Sequence, residues 1–281
     1  VNAREGTRSF PVQSVEHGVP SSRVEEVAVE EPLEIRVAGD AIALTMRTPG
    51  DDRFLAVGFL YAEGIITSLA DVGSVYTCGR SDEPAYGNTI EVTPGPGARI
   101  PEERLSRARR TFATTSACGV CGRDSIDDLL ARCPTRSEDT RIAAELIARA
   151  TDLLALDQPH FARTGGLHAA CAINSNGQVL ASAEDIGRHN AVDKVVGRLL
   201  YAGALSSAID AERPLLLAVS GRASFEIVQK AAMAGFLCVA SISAPSSLAI
   251  ETARATGLTL AAFVRSGRFG LYAGAERVAG R

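Results

Sequence analysis

The stretch Ser116-Ala-Cys-Gly-Val-Cys-Gly-Arg123 holds two thiols, Cys118 and Cys121, three residues apart among small neighbours. Ser125 is a candidate N-cap, and Ile126, Leu129 and Leu130 supply an apolar face behind it, so a helix is expected to start just after the pair. Free N–H groups and the positive end of that helix would lie near Cys121, and Arg123 adds a cation. All three favour thiolate, the form that attacks sulfur or binds metal. Spacing alone leaves four chemistries open: a redox disulfide, half of a zinc site, a sulfur relay and an inert turn.

The remaining cysteines narrow these. Cys78, Cys133, Cys171 and Cys238 stand alone, so no ladder of disulfides is expected. Cys171 and Cys238 sit in short apolar runs and read as buried, inert strand residues. Cys133 reads as a helix-end residue before Pro134 rather than a third thiol of a relay. A structural zinc site needs about four ligands, and His17, His160, His168 and His189 are scattered. Zinc within one chain is therefore not expected; zinc shared across a dimer stays open.

Three loops of the second half suit an anion. Val219-Ser-Gly-Arg-Ala-Ser224 joins a strand-like run to a helix-like one, with Arg222 beside Ser220 and Gly221. Asp185-Ile-Gly-Arg-His-Asn190 does the same with Arg188. Phe263-Val-Arg-Ser-Gly-Arg268 ends a strand-like run with Arg265 and Arg268 on a Ser-Gly turn. Glycine lets backbone approach a ligand, helix starts offer free N–H groups, and arginine grips phosphate oxygens. Each loop alone is an ordinary turn. His189 alone reads as a capping or hydrogen-bonding residue, and Glu184-Asp185 as a cap or an arginine partner. Three such loops in one sheet domain point to an anion pocket beyond the strand ends.

The elements that must hold these loops follow from periodicity and turn residues. Residues 1–22 are polar, with Pro11, Gly18 and Pro20, and read as a flexible lead-in. Residues 23–115 read as a small α+β unit of ββαββ order. Its hairpin joins Val27–Val37 to Ala41–Arg47, its helix follows Asp51-Asp52 and stops at Gly64, and its later strands are Val72–Thr77 and Asn88–Val92. Residues 116–137 hold the cysteine loop and its helix, and residues 138–281 form an α/β domain with a mixed sheet. There a helix over 138–156 precedes the strands His168–Ile173 and Val179–Ser182 around Asn176-Gly177. Helices at 191–201, 225–234 and 248–255 alternate with strands at 215–219, 236–242 and 258–264.

Composition sets the frame: 46% hydrophobic residues and a net charge of −4 allow a real core and give no sign of a nucleic-acid surface. No basic stretch followed by an apolar core opens the chain, so no signal peptide is expected. The run Ala231–Ala240 falls far short of the roughly 20 apolar residues of a membrane span.

Six stretches, in order, resemble the formate dehydrogenase accessory sulfurtransferase family, FdhD and NarQ. They are Ser116-Ala-Cys-Gly-Val-Cys-Gly, Thr164-Gly-Gly-Leu-His-Ala-Ala, Glu184-Asp-Ile-Gly-Arg-His-Asn-Ala-Val-Asp-Lys, Ser220-Gly-Arg-Ala-Ser-Phe-Glu, Ser243-Ala-Pro-Ser-Ser-Leu-Ala and Phe263-Val-Arg-Ser-Gly-Arg. The resemblance implies a cytoplasmic, homodimeric sulfur carrier. It would take sulfur from a cysteine desulfurase and pass it to the molybdenum bis-guanine-dinucleotide cofactor of formate dehydrogenase. It implies a persulfide on Cys118 with Cys121 as second thiol. Cofactor binding falls on Phe263, Val264, Arg265, Ser266, Gly267 and Arg268, joined by Arg188 and Arg222 from the anion loops; guanosine diphosphate would serve as a mimic. The fold implied for the second half is cytidine-deaminase-like. Deaminase activity is not, because Ala169 and Ala170 follow His168 where His-x-Glu is needed, and the cysteine pair precedes that histidine. A cofactor-binding chaperone and a dithiol oxidoreductase are the competing readings.

Overall fold

The structure is a computed structural model that describes residues 6–79, 86–106, 127, 131–133, 140–208 and 212–280. The Cys118–Cys121 loop and the start of its helix lie outside the described residues.

The ββαββ order is present. β3 (Glu31–Val37) pairs antiparallel with β4 (Asp40–Arg47) across a tight turn at Ala38-Gly39, where both residues take positive φ. β5 (Val72–Thr77) and β6 (Thr89–Pro94) complete a four-stranded sheet of order β4-β3-β6-β5. Alternation along β3 sends Leu33, Ile35 and Val37 into the core. Helix α1 (Asp52–Ala62) is buried from Leu55 through Leu60, more than a surface helix would be. It needs that apolar circumference because it lies between the small sheet and a helix of the second half.

The second half is built on six strands in the order β13-β12-β11-β10-β8-β9. These are β8 (His168–Ile173), β9 (Val179–Asp185), β10 (Leu216–Val219), β11 (Cys238–Ser241), β12 (Thr259–Arg265) and β13 (Arg268–Ala273). β10, β11 and β12 run parallel and the other pairings are antiparallel, which makes the sheet mixed. Side chains alternate between its faces. Ala170, Ala172, Leu217, Val219, Val239 and Leu260 belong to the large core shared with α1. Cys171, Ile173, Leu216, Ala218, Cys238 and Ala261 belong to a second core under α2 (Ala144–Ala155). Opposite α2 lie α4 (Arg188–Tyr201), α5 (Phe225–Met233) and α6 (Ser247–Ala255); the short α3 (Pro159–Thr164) precedes β8. Gly177 takes positive φ at the β8–β9 turn, as its Asn-Gly pair anticipates.

The first residues depart from the expected flexible lead-in. β1 (Thr7–Glu16) and β2 (Val19–Ala28) form a ten-residue antiparallel hairpin. His17 and Gly18 both take positive φ at its tip, the backbone that right-twisted hairpins favour. Most of its side chains are exposed on both faces, so no buried stripe marks it in the sequence. Arg163 anchors its base, pairing with Glu26 and donating to Thr7 Oγ1 at 2.9 Å. Two further differences are local. The helix expected over 138–156 begins at Ala144, after β7 (Ile142–Ala143) pairs with β14 (Val278–Ala279). Helix α4 begins three residues before Ala191, with Gly187 as its N-cap.

Candidate functional site

Pairing registers bring the motif loops to one edge of the six-stranded sheet. His168, the first residue of β8, faces Asp185, the last of β9; Val219 at the end of β10 faces Ala170 on one side and Ser241 on the other. The loops after β9, β10 and β11 and the start of β8 therefore converge at the carboxyl end of the parallel strands, where open α/β sheets bind ligands.

Side chains lace these loops together. Ser220 Oγ accepts from Ala169 N at 2.9 Å, and Ser241 Oγ donates to Gly221 O at 2.7 Å. Ala223 N donates to Ala244 O, and Ser246 N to Ala223 O. A Cβ at Gly221 would lie 3.2 Å from Arg188 Cδ and 3.4 Å from His168 Nδ1, so the missing side chain lets three loops touch. Arg188 Nε is buried there without a hydrogen-bond partner among the described residues, an orphan donor of the kind a bound anion satisfies. Burial, then the Arg188 charge, holds His168 below the ordinary histidine value. His189 Nδ1 lies 3.0 Å from Glu226 Oε2, and its Nε2 lies 3.1 Å from Ser224 Oγ. Burial also lowers His189, against the pull of Glu226; the hydrogen bond from His189 in turn lowers Glu226.

The other expected anion residues are placed differently. Arg222 is exposed. The segment Phe263–Arg268 is the tip of the β12–β13 hairpin, with Arg265 directly opposite Arg268. Both are exposed and neither makes an ion pair among the described residues; like charges so placed repel unless something negative joins them. Val264 is fully buried, whereas Phe263 is 42% exposed and takes positive φ at a bulge. Arg188 packs on Gly221 just past β10, two strands or about 10 Å from β12.

Glu184 and Asp185 serve the fold. Glu184 accepts from His160 N and Phe161 N at the start of α3. Asp185 is fully buried and pairs with Lys194 at 2.7 Å, rather than with an arginine. It also accepts from Thr48 N, Gly187 N and Asn190 Nδ2. Sequence reasoning missed Lys194 and a second buried pair, Asp193 with Lys230 at 2.7 Å. A signal was available: these are the only two lysines among 29 basic residues, both in apolar helical runs. Cys171 and Cys238 are buried as expected, and burial pushes the Cys171 thiol up to about 12 and Cys238 further. Cys133 is half-buried against Phe225 and Met233. A cavity of about 300 Å³ lies elsewhere, between Thr48–Asp51 and His160. Its cations are engaged, Lys194 with Asp185 and Arg198 with Asp51.

Residues 28–279 match the FdhD/NarQ family. The chain belongs to that family. Family relatives named sulfur carrier protein FdhD include one from Anaeromyxobacter sp. strain K, 56% identical over 90% of this chain and 88% of its own. Another, from Streptomyces coelicolor, is 45% identical over 97% of this chain and 96% of its own. A solved chain from Desulfotalea psychrophila, described as a formate dehydrogenase accessory protein, superposes with a TM-score of 0.74 at 23% identity. It covers 98% of this chain and 100% of that one, and so supports the mixed α/β fold.

Proposed function

We propose that this member of the FdhD/NarQ family is a sulfur carrier in formate dehydrogenase maturation. Family membership over residues 28–279 carries the reading, together with relatives named as sulfur carriers. In the proposed first step the Cys118 thiolate attacks the outer sulfur of a persulfide on a cysteine desulfurase. The S–S bond breaks, the desulfurase cysteine leaves as thiolate, and Cys118 keeps the sulfur as its own persulfide. Cys121 is the second thiol of the relay.

The substrate we assign to the anion loops is the molybdenum bis-guanine-dinucleotide cofactor. The buried orphan Nε of Arg188 and the room left by Gly221 suit one phosphate. Arg222, next to Gly221 in sequence, is the further cation of that loop, and Phe263–Arg268 would take a second, separate part of the ligand with Arg265 and Arg268. A bis-dinucleotide carries several phosphates and can engage both loops, Arg188 beside Gly221 and the Arg265–Arg268 tip. The parallel run β10–β11–β12 with antiparallel β8 and β13 beside it supports a cytidine-deaminase-like layer. A homodimer acting in the cytoplasm belongs to the same reading and rests on family likeness; among the described residues no helix is long and apolar enough to cross a membrane.

The test is to load the purified protein from a desulfurase and locate the added sulfur by mass spectrometry. We expect a mass gain of one sulfur on Cys118, lost in Cys118→Ala together with formate dehydrogenase activation and reduced in Cys121→Ala. Activation by Cys118→Ala at the wild-type level would instead favour a cofactor-holding chaperone. Guanosine diphosphate should raise the melting temperature by mass action. Arg265→Ala and Arg268→Ala should each cost about 1.5–3 kcal/mol of that binding.

A further inference from the structure

We propose that Ser224, His189 and Glu226 form a nucleophilic triad, and that Ser224 accepts acyl groups from small carboxylic esters. The three come from two places in the chain, Ser224 and Glu226 at the start of α5 and His189 in the first turn of α4. Glu226 Oε2 lies 3.0 Å from His189 Nδ1, and His189 Nε2 lies 3.1 Å from Ser224 Oγ. This is the order of an orienting carboxylate, a base and a hydroxyl, each within hydrogen-bond reach of the next. With Nδ1–H donating to Glu226, the lone pair of Nε2 is left to accept from the Ser224 hydroxyl. Burial holds His189 toward the neutral form that a base needs.

A neighbouring loop gives the comparison. Ser246 stands at the N-cap of α6, bridged to the Ser224 loop through Ala223 and Pro245, and its hydroxyl accepts from Ala249 N as an N-cap serine ordinarily does. Ser224 stands at the N-cap of α5 and makes no such bond. Its hydroxyl is turned to His189 instead. The first-turn N–H groups of α5, which a helix cannot satisfy internally, are thereby left uncapped by Ser224 and are suited to an oxyanion forming beside it. The triad is reachable: the His189 side chain is 28% exposed and that of Glu226 36%.

The reaction needs only the ester and water. Ser224 Oγ bonds to the ester carbonyl carbon while its proton passes to His189 Nε2. The C–O bond to the leaving alcohol then breaks, and the alcohol takes that proton. Water, deprotonated by His189, releases the acid and restores the serine.

The experiment uses the full chain with its accessible thiols first alkylated, so that cysteine cannot contribute. A fluorophosphonate probe is applied, the labelled peptide is identified by mass spectrometry, and p-nitrophenyl acetate hydrolysis is followed. We expect the label on Ser224, and a fall in hydrolysis of about a hundredfold or more in Ser224→Ala and His189→Gln. Glu226→Gln should label more slowly while melting as a folded protein. No label on the wild-type protein, a label on another residue, or undiminished hydrolysis by a folded Ser224→Ala or His189→Gln would each overturn the proposal.

Discussion

Single residues at the sheet edge are held by burial as much as by partners, and this gives the protein a pH dependence of definite sign. His168 and His189 both lie below the ordinary histidine value of 6.5, chiefly through burial. Between their native values and 6.5 the unfolded chain binds more protons, so stability rises with pH across that window. Their contribution is complete above 6.5 and is lost as the pH falls through the native values. Melting temperatures measured from pH 7.5 to 5 should therefore decline, and a His168→Asn, His189→Gln double variant should flatten that decline. The sequence shows these histidines in motif loops. It does not show the burial or the Glu226 contact that sets their character.

At the scale of elements, the crossing of α1 over α4 decides how the two halves meet. Gly58 and Gly197 let the helix backbones touch: a Cβ at Gly58 would fall 1.8 Å from Asp193 O, and one at Gly197 would fall 2.0 Å from Phe54 O. Backbone carbonyls cannot swing aside as a side-chain end can. Gly58→Ala should therefore cost at least the roughly 1–3 kcal/mol of ordinary overpacking, read as a lowered urea midpoint. An alanine at solvent-facing Gly203 would also be strained by its positive φ, but it would meet no atoms within 4 Å. Gly58 looks unremarkable in its helical run, because its reason lies on a helix more than a hundred residues later.

For the whole molecule, a shared core and a buried polar clamp join the small sheet to the large one. The larger core runs from Leu33 and Ile90 through Leu55 to Val195 and Leu217. Lys194 donates to Thr48 O, and Asn190 Nδ2 to Met46 O, so the Asp185 network fastens α4 to the end of β4. Calorimetry should accordingly show a single cooperative transition covering both sheets. Lys194→Met leaves the Asp185 carboxylate buried without its cation and should cost about 3–5 kcal/mol, seen as a fall in that one transition. Two separate transitions in the wild-type protein would contradict the shared core.

Much of this architecture is local and was therefore legible. The ββαββ order, the Asn176-Gly177 hairpin, the alternating strands and helices after it and the inert Cys171 and Cys238 all follow from periodicity and turn residues within a few positions of one another. Motif spacing likewise marked the loops that meet at the sheet edge. What the sequence withheld depends on distant partners. The β1–β2 hairpin buries no face, so no hydrophobic pattern announces it. Arg188 and Arg265 carry the same residue signature, and only the packing sets Arg188 against Gly221 while Arg265 stays exposed opposite Arg268. The bonds from Glu226 through His189 to Ser224, and the lysines neutralised inside the core, exist because helices from separate segments pack on one sheet. A side chain's charge and reach are written in the sequence, whereas the groups it faces are decided by that packing.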